Sequence, residues 1–259
     1  MTLFRRIISR YRLRRAIANL AGTKVLQALE TVHPDLSFVQ IGANDGKMMD
    51  PIRSAILGNQ WRGLVVEPVP DLFDALRNNY ASVLERVLPV NVAVSRKSGV
   101  SVFYHLHDAS GLPGLPDWAA GLGSFRRDVI LSHRDRLPAI EEYLQAIEVP
   151  CMTWDELCVA HGVEDVDLLV TDTEGYDFEI LRQLDYDRYR PFLVIYEHHH
   201  FDQDTDDSCR LMLSNAGYRL FREGLDTWAI DMRTSDPRYQ GIKQELAKWV
   251  SESRYAGPI

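Results

Sequence analysis

The chain has 259 residues, 46% of them apolar, which suffices for one large α/β core with a small insertion. No apolar run approaches the ~18 residues of a membrane span, and the three cysteines, Cys151, Cys158 and Cys209, have no metal-ligand spacing, so they read as reduced thiols of a cytoplasmic protein. The net charge of −8 hides an asymmetry: residues 1–24 carry seven basic side chains and no acid, leaving 22 basic against 37 acidic groups elsewhere, a balance that argues against nucleic-acid binding.

Residues 1–34 are expected to form a basic helical arm. Phe4, Ile7, Ile8 and Tyr11 share one stripe, and arginines cover the rest. Such a helix suits peripheral contact with an anionic membrane, at about 1 kcal/mol per basic residue. It suits equally a helix packed on the acidic body as a lid or as the arm of a homo-oligomer. A secretory signal is not expected, because no apolar h-region follows the basic part.

Residues 35–235 read as the main domain. Phe38-Val39-Gln40-Ile41 is a buried strand ending in Gly42-Ala43-Asn44-Asp45-Gly46, and Met48, Met49, Ile52, Ala55 and Ile56 then recur at helical spacing, with the two methionines read as core. Leu64-Val65-Val66 is a second strand, ending in Glu67, where an acidic side chain is placed to accept hydrogen bonds from a ribose. The loop spacing is Gly-x-x-x-Gly, not G-x-G-x-x-G, and Asp45 would repel a pyrophosphate. S-adenosylmethionine fits better, with its amino-acid end, its sulfonium and a ribose for Glu67. For the loop taken alone, an ordinary strand-to-helix turn without a ligand stays open.

Pro70-Asp71 starts a helix through Leu72, Phe73, Leu76 and Tyr80. Val87 to Val94 is a third strand and Val100 to His105 a further extended run. Residues 106–150 are the least regular, with a Gly/Pro-rich stretch at Gly111–Pro116 and helices after Phe125 and over Ile140 to Ile147; they read as an insertion covering the substrate. Thr153 and Glu156 form a capping box. Leu168-Leu169-Val170-Thr171 ends in Asp172, Phe192 to Tyr196 ends in Glu197-His198-His199-His200, and Tyr218–Phe221 with Thr227–Ile230 reads as a hairpin. Residues 236–259 end in a helix around Ile242 to Val250. Alternating strands and helices closed by a hairpin describe a mostly parallel sheet, whose polar tips Asn44, Glu67, Asp172, Glu174, Glu197 and His198 gather at one rim.

In Val39–Gly46, Val66-Glu67-Pro68, Asp172-Thr173-Glu174-Gly175-Tyr176-Asp177 and Tyr196-Glu197-His198, the chain resembles the FkbM-type methyltransferases, a branch of the class I S-adenosylmethionine-dependent enzymes. The resemblance spans roughly residues 36–232. Family members often show Asp where Gln40 stands and Glu where Asp177 stands. It implies a Rossmann-like α/β fold: a seven-stranded, mostly parallel sheet with a C-terminal antiparallel β-hairpin and helices on both faces. It also implies O-methylation, commonly of sugar, glycan or polyketide hydroxyls. Carried over, Gly42, Ala43, Asn44 and Gly46 would approach the methionine part of the cofactor, Glu67 the ribose, and Val92 and Ala93 the adenine, while Asp172 would face the methyl-transfer zone.

A sugar hydroxyl needs help to lose its proton at neutral pH. His198 is the first candidate base, because histidine alone titrates near pH 7 unperturbed, with Asp172 and Glu197 as alternatives. Mg²⁺ held by these three is open but not favoured, since histidine is an unusual ligand for it. In His198-His199-His200, strand alternation would send the first and third to one face. His105, His107 and His133 each read as surface residues. Two other function classes remain: a catalytically silent nucleoside-binding or membrane-recruited protein, and a nicotinamide-dependent dehydrogenase, which the glycine spacing disfavours.

Overall fold

A computed structural model describes residues 21–107, 116–252 and 256–258. The expected stripe over residues 4–20 and residues 111–115 of the Gly/Pro-rich stretch lie outside them. Strand β1 (Ser37–Ile41) lays out the core by its period-two alternation: Phe38 enters the apolar layer on one face, Val39 and Ile41 the layer on the other. The same division repeats along β2 (Arg62–Val66), β8 (Leu168–Thr171) and β9 (Leu193–Glu197), so each central strand is buried on both sides. Strands covered on both faces are what parallel sheets require.

With β3 (Val87–Val90), β10 (Tyr218–Glu223), β11 (Asp226–Asp231) and β12 (Ala256–Pro258), these strands form an eight-stranded sheet in the order β12-β10-β11-β9-β8-β1-β2-β3. Pairing is parallel from β3 to β9 and antiparallel from β9 through β11 and β10 to β12. Seven strands and the hairpin follow the expected pattern. The reversed strands, however, are β11, wedged between β9 and β10, and β12, an edge strand where only a terminal helix was expected. Helices α1 (Ala21–Val32), α2 (Arg53–Gly58), α3 (Pro70–Asn79) and α9 (Gln240–Glu252) cover one face, and α6 (Trp154–His161), α7 (Asp177–Leu181) and α8 (Gln203–Asn215) the other. Ala21, Val25 and Leu29 are fully buried, so this part of the N-terminal arm packs into the core. The first amides of α1, from Ala21 and Gly22, each donate to the Glu223 carboxylate at 2.8 Å, which satisfies two of the helix's orphan donors. Among the described residues no helix is long and apolar enough to cross a membrane.

Three sequence expectations change. The third strand splits: Val87–Val90 stays in the main sheet, while β4 (Ala93–Val94) joins β5 (Gly99–Leu106), β6 (Gly123–Ser124) and β7 (Leu144–Met152) in a second sheet ordered β4-β7-β5-β6. The helix expected over Ile140 to Ile147 shrinks to α5 (Ile140–Tyr143), because Ile147, Val149 and Cys151 alternate with exposed Glu148 and Pro150, a strand period set by the partner β5. The helix expected from Met48 begins only at Arg53. Asp45 Oδ1 accepts from the amides of Lys47 and Met48, Asp50 Oδ1 accepts from those of Ile52 and Arg53, and Pro51 keeps Asp50 out of helix. Met49, at φ 54°, is 82% exposed and is not core.

Candidate functional site

A cavity of about 570 Å³ opens at the carboxyl ends of β1, β2, β8 and β9, where an open α/β sheet presents its crevice. Its floor is the glycine loop. Gly42, at φ 78°, donates its amide to Val66 O, and a Cβ there would sit 1.8 Å from the Asp172 carbonyl oxygen, so only glycine lets β1 turn against the end of β8. Gly46, at φ 65°, lies off the cavity and packs against Leu76 of α3 and Tyr80 just beyond its end. Asn44 holds a left-handed conformation, φ 52°, that aims its amide at Glu67.

Glu67 is buried at the tip of β2. One carboxylate oxygen accepts from Asn44 N and the other from Val69 N, both at 2.9 Å. Burial pushes its pKa up to about 7 against the pull of those two amides. Gln40 lies beside it in β1, with a buried carbonyl oxygen that has no hydrogen-bond partner among the described residues.

At the opposite rim, Asp172, Glu174 and Glu197 bring carboxylate oxygens within 4.8 Å of one another. Asp172 is exposed to the open space of the cavity and is accessible to a ligand. The protein around it, followed by the charges of Glu174 and Asp177, raises its pKa above the usual carboxylate range. Glu197 is raised for the same reasons, with Asp172 its strongest neighbour. Glu174 stands at φ 50° after β8, and its carbonyl accepts from Ser124 Oγ at 2.7 Å, which ties the insertion to the main sheet. Beyond it, Asp177 accepts from the Thr173 hydroxyl at 2.8 Å.

The chain leaves strand geometry after Glu197, so alternation does not govern the three histidines. His198 turns away from the cavity: its Nδ1 pairs with Thr227 Oγ1 at 3.0 Å, and burial and Arg222 lower its pKa to about 4. His199 and His200 line the cavity instead. His200 Nε2 lies 2.8 Å from Glu174 Oε2 and 3.9 Å from Glu197 Oε2. The insertion closes this side with Trp118, Phe125, His133 and Arg136, and the His133 ring meets that of His200 edge-on at 5.5 Å.

Of the residues singled out in the sequence, Gly42, Ala43, Asn44, Glu67, Val92, Ala93, Asp172 and Glu197 border one cavity; Gly46 and His198 do not. Asp45, expected to repel a pyrophosphate, spends one carboxylate oxygen on the turn below. His133, read from the sequence as a surface residue, and His200, read as sharing a face with His198, come to Glu174 through the fold and not through any spacing.

The family model described as the methyltransferase FkbM domain matches residues 40–220. No curated protein matches the chain. Among solved structures, an FkbM methyltransferase from Methylobacillus flagellatus KT is similar at 13% identity and a TM-score of 0.48, over 76% of this chain and 44% of that one; the chain thus spans less than half of that protein's length. A precorrin-6y C5,15-methyltransferase from Geobacter metallireducens GS-15 is similar at 13% identity and 0.39, over 81% and 84%. The fibrillarin of Aeropyrum pernix, with natively bound S-adenosyl-L-methionine, is similar at 11% and 0.37, over 76% and 66%.

Proposed function

The chain belongs to the FkbM methyltransferase family, and from that premise we propose that it moves a methyl group from S-adenosylmethionine to a hydroxyl of a sugar, glycan or polyketide-type product. The observation that carries the cofactor assignment is Glu67, a buried carboxylate at the tip of β2 bonded to the glycine-loop amide of Asn44 and bordering the cavity. Each of its oxygens has one amide donor and keeps a lone pair for a ribose hydroxyl. The unpartnered Gln40 oxygen is an acceptor for the ammonium of the methionine part, beside the open floor at Gly42 and Ala43. Val92 and Ala93 offer the apolar edge an adenine needs. The residues present therefore fit the cofactor in their acceptors and in their apolar edge.

Bound S-adenosylmethionine supplies an electrophilic methyl carbon: the acceptor oxygen takes it with a lone pair, the carbon–sulfur electrons stay on sulfur, and the hydroxyl proton is left to the protein. Asp172 is our candidate for that proton, because its carboxyl faces the cavity and a cationic ligand beside it favours the ionised form. Glu197 lies behind it as a second carboxylate. His198 loses its place as base, since it does not border the cavity. Trp118 and Phe125 supply flat apolar walls for an acceptor, and the insertion's task is to hold it at near-attack distance and to exclude water.

Titration calorimetry with S-adenosylmethionine, S-adenosylhomocysteine and NAD, on wild type and Glu67→Ala, tests the cofactor. Binding of the two sulfur ligands that is lost with Glu67 supports it, and their failure to bind sinks it. Methylation of hydroxylated acceptors, followed by mass, then separates an enzyme from a silent binding protein.

A further inference from the structure

We propose that His133, His200 and Glu174 bind a divalent transition-metal ion at the acceptor end of the cavity, with Glu197 as a fourth donor. One ligand atom from each of the first three lies within 4.8 Å of the others, and all four residues line the cavity. They arrive from separate elements: the turn Ser132–Asp135 of the insertion, the loop after β8 and the loop after β9.

The orientation of the donor atoms argues for an ion rather than for internal pairing. Glu174 Oε2 is 2.8 Å from His200 Nε2, yet it has no hydrogen-bond partner among the described residues, so the contact lacks the alignment of an N–H donor. Glu197 Oε2 and His133 Nε2 are likewise buried without a hydrogen-bond partner. The Glu197 side chain is only 9% exposed and its free oxygen is 3.9 Å from His200 Nε2. Buried polar atoms are nearly always paired, and several unpaired ones gathered at one side of a cavity call for a common partner. An ion meets that need. Donors of a four-coordinate ion at about 2.0–2.2 Å stand roughly 3.3 Å apart, which small rotamer shifts would produce here.

Ligand chemistry narrows the ion. Two imidazoles with one or two carboxylates suit zinc, iron or manganese and not magnesium, which prefers oxygen throughout. This differs from a carboxylate site at the strand ends, because both histidines lie outside the strands and one comes from the insertion. Where the methyl-transfer reading holds, a fifth coordination position open to the cavity would take the acceptor hydroxyl oxygen and make its proton more acidic, with Asp172 placed to receive that proton. This role rests on that reading; the binding itself does not.

The experiment is calorimetry of the chelator-treated full-length protein with Zn²⁺ and with Mn²⁺, on wild type, His133→Ala and Glu174→Gln, with S-adenosylmethionine titrated in parallel. One equivalent should bind wild type, and each variant should bind it at least about tenfold more weakly. No stoichiometric binding, or binding unchanged in both variants, overturns the proposal. A wild type that binds S-adenosylmethionine but no ion separates this failure from that of the methyltransferase reading. Should the variants not fold, the Co²⁺ absorption of the wild type decides: ligand-field bands of a low-coordinate nitrogen–oxygen site support the proposal, and a spectrum like that of hydrated Co²⁺ overturns it.

Discussion

Gly42 and Glu67 impose opposite demands on stability. At Gly42 a methyl group would collide with the Asp172 carbonyl at 1.8 Å in a conformation that L side chains rarely adopt. Gly42→Ala should therefore cost about 2 kcal/mol or more and abolish cofactor binding, as read by urea unfolding and calorimetry. Glu67 works the other way. Its pKa, raised from 4.5 to about 7 by burial, means that its contribution to stability is full below about pH 4.5 and is lost as pH rises towards 7. The loss amounts to as much as about 3 kcal/mol. Glu67→Gln removes this titration, although the amide can accept only one of the two backbone bonds. Between pH 5 and pH 8 the variant should lose less stability than wild type, by up to that amount, while its affinity for S-adenosylmethionine falls. Equal losses in the two proteins would show that Glu67 ionises freely.

Elements whose signals are local were legible in the sequence. Thr153 and Glu156 do form the reciprocal capping box of α6, and Thr153→Ala should cost about 1 kcal/mol in urea unfolding with cofactor affinity unchanged. The glycine loop and the acidic tip of β2 were legible for the same reason: a turn at positive φ and a strand end are written in adjacent residues. The second sheet was not. Leu144–Met152 becomes a strand only because Gly99–Leu106 lies beside it, and no local pattern announces a partner 38 to 52 residues away. His133 was hidden by the same cause, since it reaches Glu174 only once that sheet has folded. Ser124 is the clip between the two parts: its hydroxyl donates to Glu174 O and accepts from Arg126 N at 3.0 Å. Ser124→Ala should loosen the insertion at a cost of about 1–2 kcal/mol. Steady-state kinetics should then show a raised KM for the acceptor with cofactor affinity preserved; a change confined to the cofactor would place the insertion's role elsewhere.

At the scale of the whole molecule, strand order follows from alternation and short connections, but the place of β11 does not. Asp226–Asp231 is buried along nearly all its length, so its pattern suits a strand inside the sheet as well as one beside it, and only β9 on its far side decides. The consequence reaches the cavity, because this topology brings the start of β11 alongside the end of β9 and adds Asp226 to a lining that already holds Glu67, Asp172, Glu174 and Glu197. Burial raises Asp226 to about 7, as it does Glu67. Between pH 6 and pH 8 both therefore gain negative charge in a poorly hydrated space, where a unit charge about 6 Å away is felt at roughly 3 kcal/mol for an effective dielectric near 20. S-adenosylmethionine carries a sulfonium and S-adenosylhomocysteine does not, while their riboses and amino-acid ends are the same. The ratio of the two affinities should thus rise in favour of the sulfonium ligand from pH 6 to pH 8, and NAD, with its pyrophosphate, should bind at neither. Added salt should reduce the ratio only weakly, because enclosed charges are poorly screened. Calorimetry of both sulfur ligands at the two pH values measures it, and a constant ratio would mean that the Glu67 and Asp226 carboxylates lie too far from the sulfonium to set the cofactor's charge preference.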